Sequence, residues 1–212
     1  FYYVLGFYWF SEGRKMIKIN KKSDSVVVIV HEIYGVNQHI KSYCKSISEH
    51  DFDVICPDLL NKKIPYDYLQ EEAAYRNFIE SVGFIKAAET IKNLVADLKD
   101  DYNKIFIVGF SVGATVAWLC SELKYVDGIV GYYGSRIRNY IDIQPTCPTM
   151  LFFPEEEPSF SVNELVANLK NKNIDVHKYK GKHGFSDSCS QKYNAESSQL
   201  TFNKTVSFLK RN

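Results

Sequence analysis

The chain has 212 residues, enough for one α/β domain with a full apolar core and no need of disulfide staples. Its 26 basic residues balance 25 acidic ones for a net charge of +1, and no basic run exceeds a pair, which argues against a nucleic-acid partner. Five cysteines, an odd number without Cys-x-x-Cys spacing, point to neither a disulfide framework nor a zinc site and fit a reducing, cytoplasmic setting.

Residues 1–10 are strongly aromatic but too short to span a bilayer, and they have neither the basic region nor the cleavage site of a signal peptide. They read as an added strand or a loose extension within residues 1–15; the alternative is an apolar patch that docks another chain or a lipid surface. Residues 25–30 are a continuous β-branched run of the kind that strands covered on both faces require, and they predict a central strand. Runs at 53–56, 105–108, 128–130 and 149–153 repeat that character, and 174–179 alternates as an edge strand does. Helical patterns fall between them, at 37–49, at 67–99 as two helices divided near Gly83, and at 111–123, 161–170 and 198–210. Strands alternating with helices imply parallel pairing through crossovers, hence a single α/β domain over 1–212 with a mostly parallel central sheet flanked by helices. No insertion is long enough for a large cap. Ligands of such a sheet bind outside the carboxyl ends of its strands.

Those ends carry the chemistry. Gly109-Phe110-Ser111-Val112-Gly113 follows an apolar strand and opens a helix, the setting of a nucleophile elbow, where small flanking residues let the chain turn sharply and expose the serine hydroxyl. A serine is a weak nucleophile at neutral pH and needs a base with an orienting group behind it. Of five histidines, His183 lies in the glycine-flanked loop after the last strand, whereas His31 ends a strand, His39 and His50 sit on the first helix and His177 lies within a strand. The chain order of serine, acid, histidine places the acid in Pro154-Glu155-Glu156-Glu157-Pro158, where Glu157 lies deepest and is followed by a proline; Glu155, Glu156 and, beyond the histidine, Asp187 are its rivals. Two backbone N–H groups must hold the oxyanion, and Val112 and Ile33 stand in the right places, the latter in the loop after the most hydrophobic strand.

The segments at 31–37, 56–59, 109–113, 131–134 and 183–185 together resemble the dienelactone hydrolase family in order and spacing, from about Ser25 to the C-terminus. The resemblance implies an α/β-hydrolase fold, with Glu32 a buried acid near the resting nucleophile and Ile33 a donor to the oxyanion. Name-giving members carry cysteine where this chain has Ser111, so thiolate chemistry is replaced by general-base assistance from His183. Those members also clamp a substrate carboxylate with two arginines, and the matching positions here hold Asp187 and Glu71; a slip of one helical turn would place Arg76 nearby. Acids at those positions disfavour a carboxylate substrate.

The reading is a cytoplasmic serine hydrolase that cleaves a small neutral or cationic ester or lactone through an acyl-enzyme. It needs no metal or organic cofactor, has no transmembrane segment, and acts as a monomer or weak homodimer. Tyr34, Tyr75, Tyr133 and Phe185 are expected to wall the substrate pocket, although core packing is an equal reading for aromatics at strand ends. The rival readings are a peptidase or thioesterase using the same chemistry, and a catalytically silent binding protein on a hydrolase scaffold.

Overall fold

The computed structural model describes residues 6–9 and 15–212. Eight strands form one sheet: β1 Gly6–Trp9, β2 Lys15–Ile19, β3 Ser25–Val30, β4 Asp53–Pro57, β5 Lys104–Phe110, β6 Gly128–Tyr132, β7 Thr149–Pro154 and β8 Asp175–Tyr179. Their order is β1-β2-β4-β3-β5-β6-β7-β8, and every pair from β4 to β8 is parallel. The first two strands are the exception, antiparallel to each other and to β4. An added strand at the aromatic N-terminus therefore exists as β1, while the remainder of residues 1–10 lies outside the described residues. β2 had no counterpart among the predicted strands.

Alternation along the central strands divides the core. Val26, Val28 and Val30 face one side with Ile105 and Ile107, and there meet α3 (Phe84–Leu98) and α4 (Val112–Leu119). Val27 and Ile29 face the other side with Phe106 and Val108, against α1 (Gln38–Ser48) and α6 (Ala195–Arg211). Both faces are thus dry, which is why these strands read as unbroken β-branched runs, and each buried valine or isoleucine contributes ~1.5–3 kcal/mol. Two further helices complete the layers, α2 (Glu71–Asn77) and α5 (Val162–Leu169).

The 67–99 region divides where expected. A π-helical turn over Phe78–Val82 ends at Gly83, whose φ of 73° reverses the chain into α3. That conformation suits glycine because an L residue with a side chain is strained at this φ, although the space beside it is open. His50 falls just beyond α1 rather than on it. No helix of the described residues is long and apolar enough to cross a membrane.

Parallel strands put their carboxyl ends on one edge. The loops after β3, β5, β6, β7 and β8 meet there, and with them the residues singled out from the sequence.

Candidate active site

β5 runs straight into α4 through Ser111, whose φ of 55° and ψ of −115° are strained for a residue with a side chain. Two glycines make the turn possible. A Cβ on Gly109 would lie 2.1 Å from the carbonyl oxygen of Gly113, and one on Gly113 would lie 2.2 Å from that of Val30. The Ser111 N–H donates to the Tyr132 carbonyl at 2.9 Å, so the strained residue is tied to β6. Buried packing along α4 holds the rest, since Val112 to Trp118 are all buried.

Ser111 Oγ is 2.8 Å from His183 Nε2, and His183 Nδ1 is 2.7 Å from Glu157 Oε1. The carboxylate can only accept, so Nδ1 carries the proton and Nε2 presents its lone pair to the serine hydroxyl. Glu157 has a side chain only 3% exposed, against 27% for His183. Its loop is pinned by a bridge between Glu157 and Phe160 and by the Glu155 N–H donating to Tyr179 O, while Glu155 and Glu156 are exposed. The histidine loop turns on Gly181 and Gly184, both with positive φ, and is anchored by Phe185 in the core.

Asp187 does not touch His183. It is buried, accepts from Tyr68 Oη at 2.6 Å and from the Cys189 N–H at 2.9 Å, and lies 3.8 Å from His39 Nδ1. Glu71 pairs with Lys192 Nζ at 3.1 Å, and Arg76 is exposed and paired with Glu72 at 2.7 Å, so no slip brings that arginine into the cleft. Positive charge arrives from another element. On the short 3-10 turn Ser135–Asn139, the Arg136 guanidinium donates to Tyr75 Oη, and Arg138 lies over the Phe160 ring.

Glu32 is buried beneath this arrangement, and burial raises its carboxyl pKa, with Asp187 adding and His39 and His183 opposing. Tyr133, in the left-handed region at φ 44°, stands with its ring 5.0 Å from that of His183 and its hydroxyl 2.8 Å from Ser186 Oγ. Val112, the first residue of α4, directly follows Ser111, and Ile33 lies in the loop after β3; the N–H groups of a helix's first turn have no intrahelical acceptor.

His31 holds the β3 loop. The Leu59 N–H donates to its Nε2 at 2.9 Å, so that nitrogen is unprotonated and Nδ1–H donates to Glu32 O at 2.6 Å. Burial lowers its pKa accordingly.

The expected pocket walls divide. Tyr34 stands edge-on to Tyr68 at 4.9 Å, and Tyr75 accepts from Arg136. Phe185 is fully buried against Tyr133 and Tyr179 and cannot wall an open pocket; it braces the histidine loop from below. Tyr133 is equally buried and acts as packing behind His183. Tyr68, Arg136 and His39 were not among the expected site residues. Only His39 carried a signal, as a histidine on the helix that leaves the β3 loop.

A mostly parallel sheet with a strained serine at a strand-to-helix elbow, bonded through histidine to a buried carboxylate, defines an α/β hydrolase. The chain belongs to the dienelactone hydrolase family, whose model matches residues 14–212. It is 39% identical over 189 residues to the Bacillus subtilis protein YczH, covering 87% of this chain and 90% of that one. It is 23% identical to carboxymethylenebutenolidase 1 of Cupriavidus pinatubonensis, over 93% and 90% of the two chains. Among solved structures, the Pyrococcus furiosus esterase superposes with a TM-score of 0.66 at 16% identity, covering 100% of this chain and 93% of its own.

Proposed function

We propose that this chain is a serine hydrolase that cleaves a small neutral or cationic ester or lactone through an acyl-enzyme. The observation that carries the proposal is the unbroken chain from Glu157 through His183 to Ser111, at 2.7 and 2.8 Å. Relatives named as carboxymethylenebutenolidases and an esterase support an ester-type bond as the target.

In the proposed reaction Ser111 Oγ attacks the carbonyl carbon as His183 Nε2 takes the hydroxyl proton, and Glu157 stabilises the imidazolium. The tetrahedral oxyanion accepts hydrogen bonds from the Ile33 and Val112 N–H groups. When the C–O bond breaks, His183 returns the proton to the leaving oxygen. A water activated by the same histidine then attacks the acyl-enzyme, releasing the acid and restoring Ser111.

Preference against a carboxylate substrate is supported at Tyr34. Burial and then the charges of Glu71, Glu32 and Asp187 raise its hydroxyl pKa, so the field at that side chain is negative. A carboxylate placed there adds like charge in a partly desolvated cleft.

A fluorophosphonate probe tests the reaction. Wild type is expected to be labelled and to hydrolyse p-nitrophenyl acetate, and Ser111→Ala to do neither. An unlabelled wild type without turnover would leave a binding protein on a hydrolase scaffold. Matched neutral and carboxylated esters test the charge preference separately, and a higher kcat/KM for the carboxylated ester overturns it without touching the role of Ser111.

A further inference from the structure

A cavity of about 270 Å³ lies beside β2 and the start of α1, and none of Ser111, His183 and Glu157 lines it. Its rim carries Lys15, Lys41, Lys62 and Lys63. In a chain of 26 basic and 25 acidic residues, four lysines around one hollow are a local concentration of charge, unrelated to a basic composition.

Among the described residues, the acidic side does not balance Lys41, Lys62 and Lys63. Asp58 is the carboxylate among the lining residues, and its oxygens already accept the N–H groups of Leu60, Asn61 and Lys62, with His31 Nε2 at 3.9 Å. Among the described residues, no carboxylate comes within 4 Å of the ammonium groups of Lys41, Lys62 or Lys63. Lys62 instead rests its Nζ 4.2 Å from the centre of the Tyr66 ring, which accepts the cation and leaves its other faces open. The floor is of the opposite character, formed by Met16, Ile17, Val36 and Pro65, of which Met16 and Ile17 are buried.

A charged rim over an apolar floor selects an amphiphilic anion. Lysine ammoniums are compact point charges on mobile stems and suit a phosphate, whose charge is spread over three oxygens, better than a planar carboxylate that favours a fixed guanidinium fork. The space equals that of about nine waters, room for a phosphate group and a few carbons.

We propose that this cavity is a binding site, separate from Ser111, for a small phosphate monoester. Its dianionic head meets Lys41, Lys62 and Lys63, and its short apolar body lies against Met16, Val36 and Pro65.

Calorimetric titration of the full chain at fixed ionic strength with butyl phosphate, inorganic phosphate and butanol tests this. Butyl phosphate is expected to bind at least about tenfold more tightly than inorganic phosphate, because each buried CH₂ contributes about fourfold, and butanol is expected not to bind. Lys41→Glu, and separately Lys62→Glu with Lys63→Glu, should each weaken butyl phosphate about tenfold or more while p-nitrophenyl acetate turnover and the thermal midpoint hold. These residues are on the surface or half-buried, so the variants should fold, and the turnover control detects any that do not. No isotherm at millimolar butyl phosphate, equal affinity for the two phosphates, or unchanged affinity in both lysine variants overturns the proposal. Sedimentation with phosphatidic acid vesicles in the absence of butyl phosphate binding also overturns it, in favour of a membrane surface.

Discussion

At the scale of single residues, the site depends on a glutamate where the chain offers three in a row. Glu157 reaches His183 because its loop turns it inward at the bridge to Phe160, whereas Glu155 and Glu156 point into water. Glu157→Gln removes the charge behind the imidazole and should lower kcat on the order of 10²- to 10⁴-fold with little change in KM. Glu155→Gln and Glu156→Gln should leave kcat where it is. Asp187→Asn keeps an acceptor for Tyr68 and should retain labelling at Ser111; a larger kcat loss there than in Glu157→Gln would show that the wrong acid has been assigned. The position of the acid was legible in the order of the loops. Depth in the loop and the following proline favoured Glu157 over its two neighbours, and in the fold the bridge to Phe160 accompanies its inward turn.

At the scale of elements, the elbow is the most constrained junction. β5, α4 and β3 approach so closely at Gly109 and Gly113 that an added methyl meets backbone oxygens, which cannot move as a flexible side chain could. Gly113→Ala should therefore destabilise the fold by about 2–4 kcal/mol, read as a lowered urea midpoint. An unchanged midpoint would mean that the crossing relaxes and that the close approach is not structural. The strands buried on both faces were readable because burial demands continuous apolar runs. β2 was not, because Lys-Met-Ile-Lys-Ile is only five residues long, neither alternates nor forms an unbroken apolar run, and is held by antiparallel pairing to β4, some forty residues away in sequence. The π-helical turn before Gly83 was equally hidden, since its residues are ordinary helix formers.

For the whole molecule, His31 couples the β3 loop to the β4 loop in a form that excludes a proton. Burial lowers its folded pKa below the ordinary 6.5, so at higher pH both folded and unfolded chains hold it neutral and it adds no pH dependence. As pH falls below about 6.5 the unfolded chain takes up a proton that the folded one refuses, and stability is lost. His177, also lowered by burial, acts in the same direction. Glu32, raised by burial, acts the other way, so the comparison is between proteins: in urea titrations from pH 8 to pH 5, His31→Gln should lose less stability on the acid side than wild type, and an identical slope in the variant would contradict a neutral His31 with its proton on Nδ1.

By itself the sequence determined the layered α/β architecture, the family, and the identity of Ser111 and His183 as the pair to watch. Those features are written in short-range patterns, such as β-branched runs, a glycine-flanked serine and a glycine-flanked histidine. What tertiary structure alone decided is where charge ends up. Asp187 is buried on Tyr68, Glu71 is paired with Lys192, Arg136 reaches Tyr75, and Lys15, Lys41 and the Lys62–Lys63 pair gather around one hollow from three separate segments. A charge acts through space with a strength set by distance and burial, and neither is fixed until the strands and loops have met.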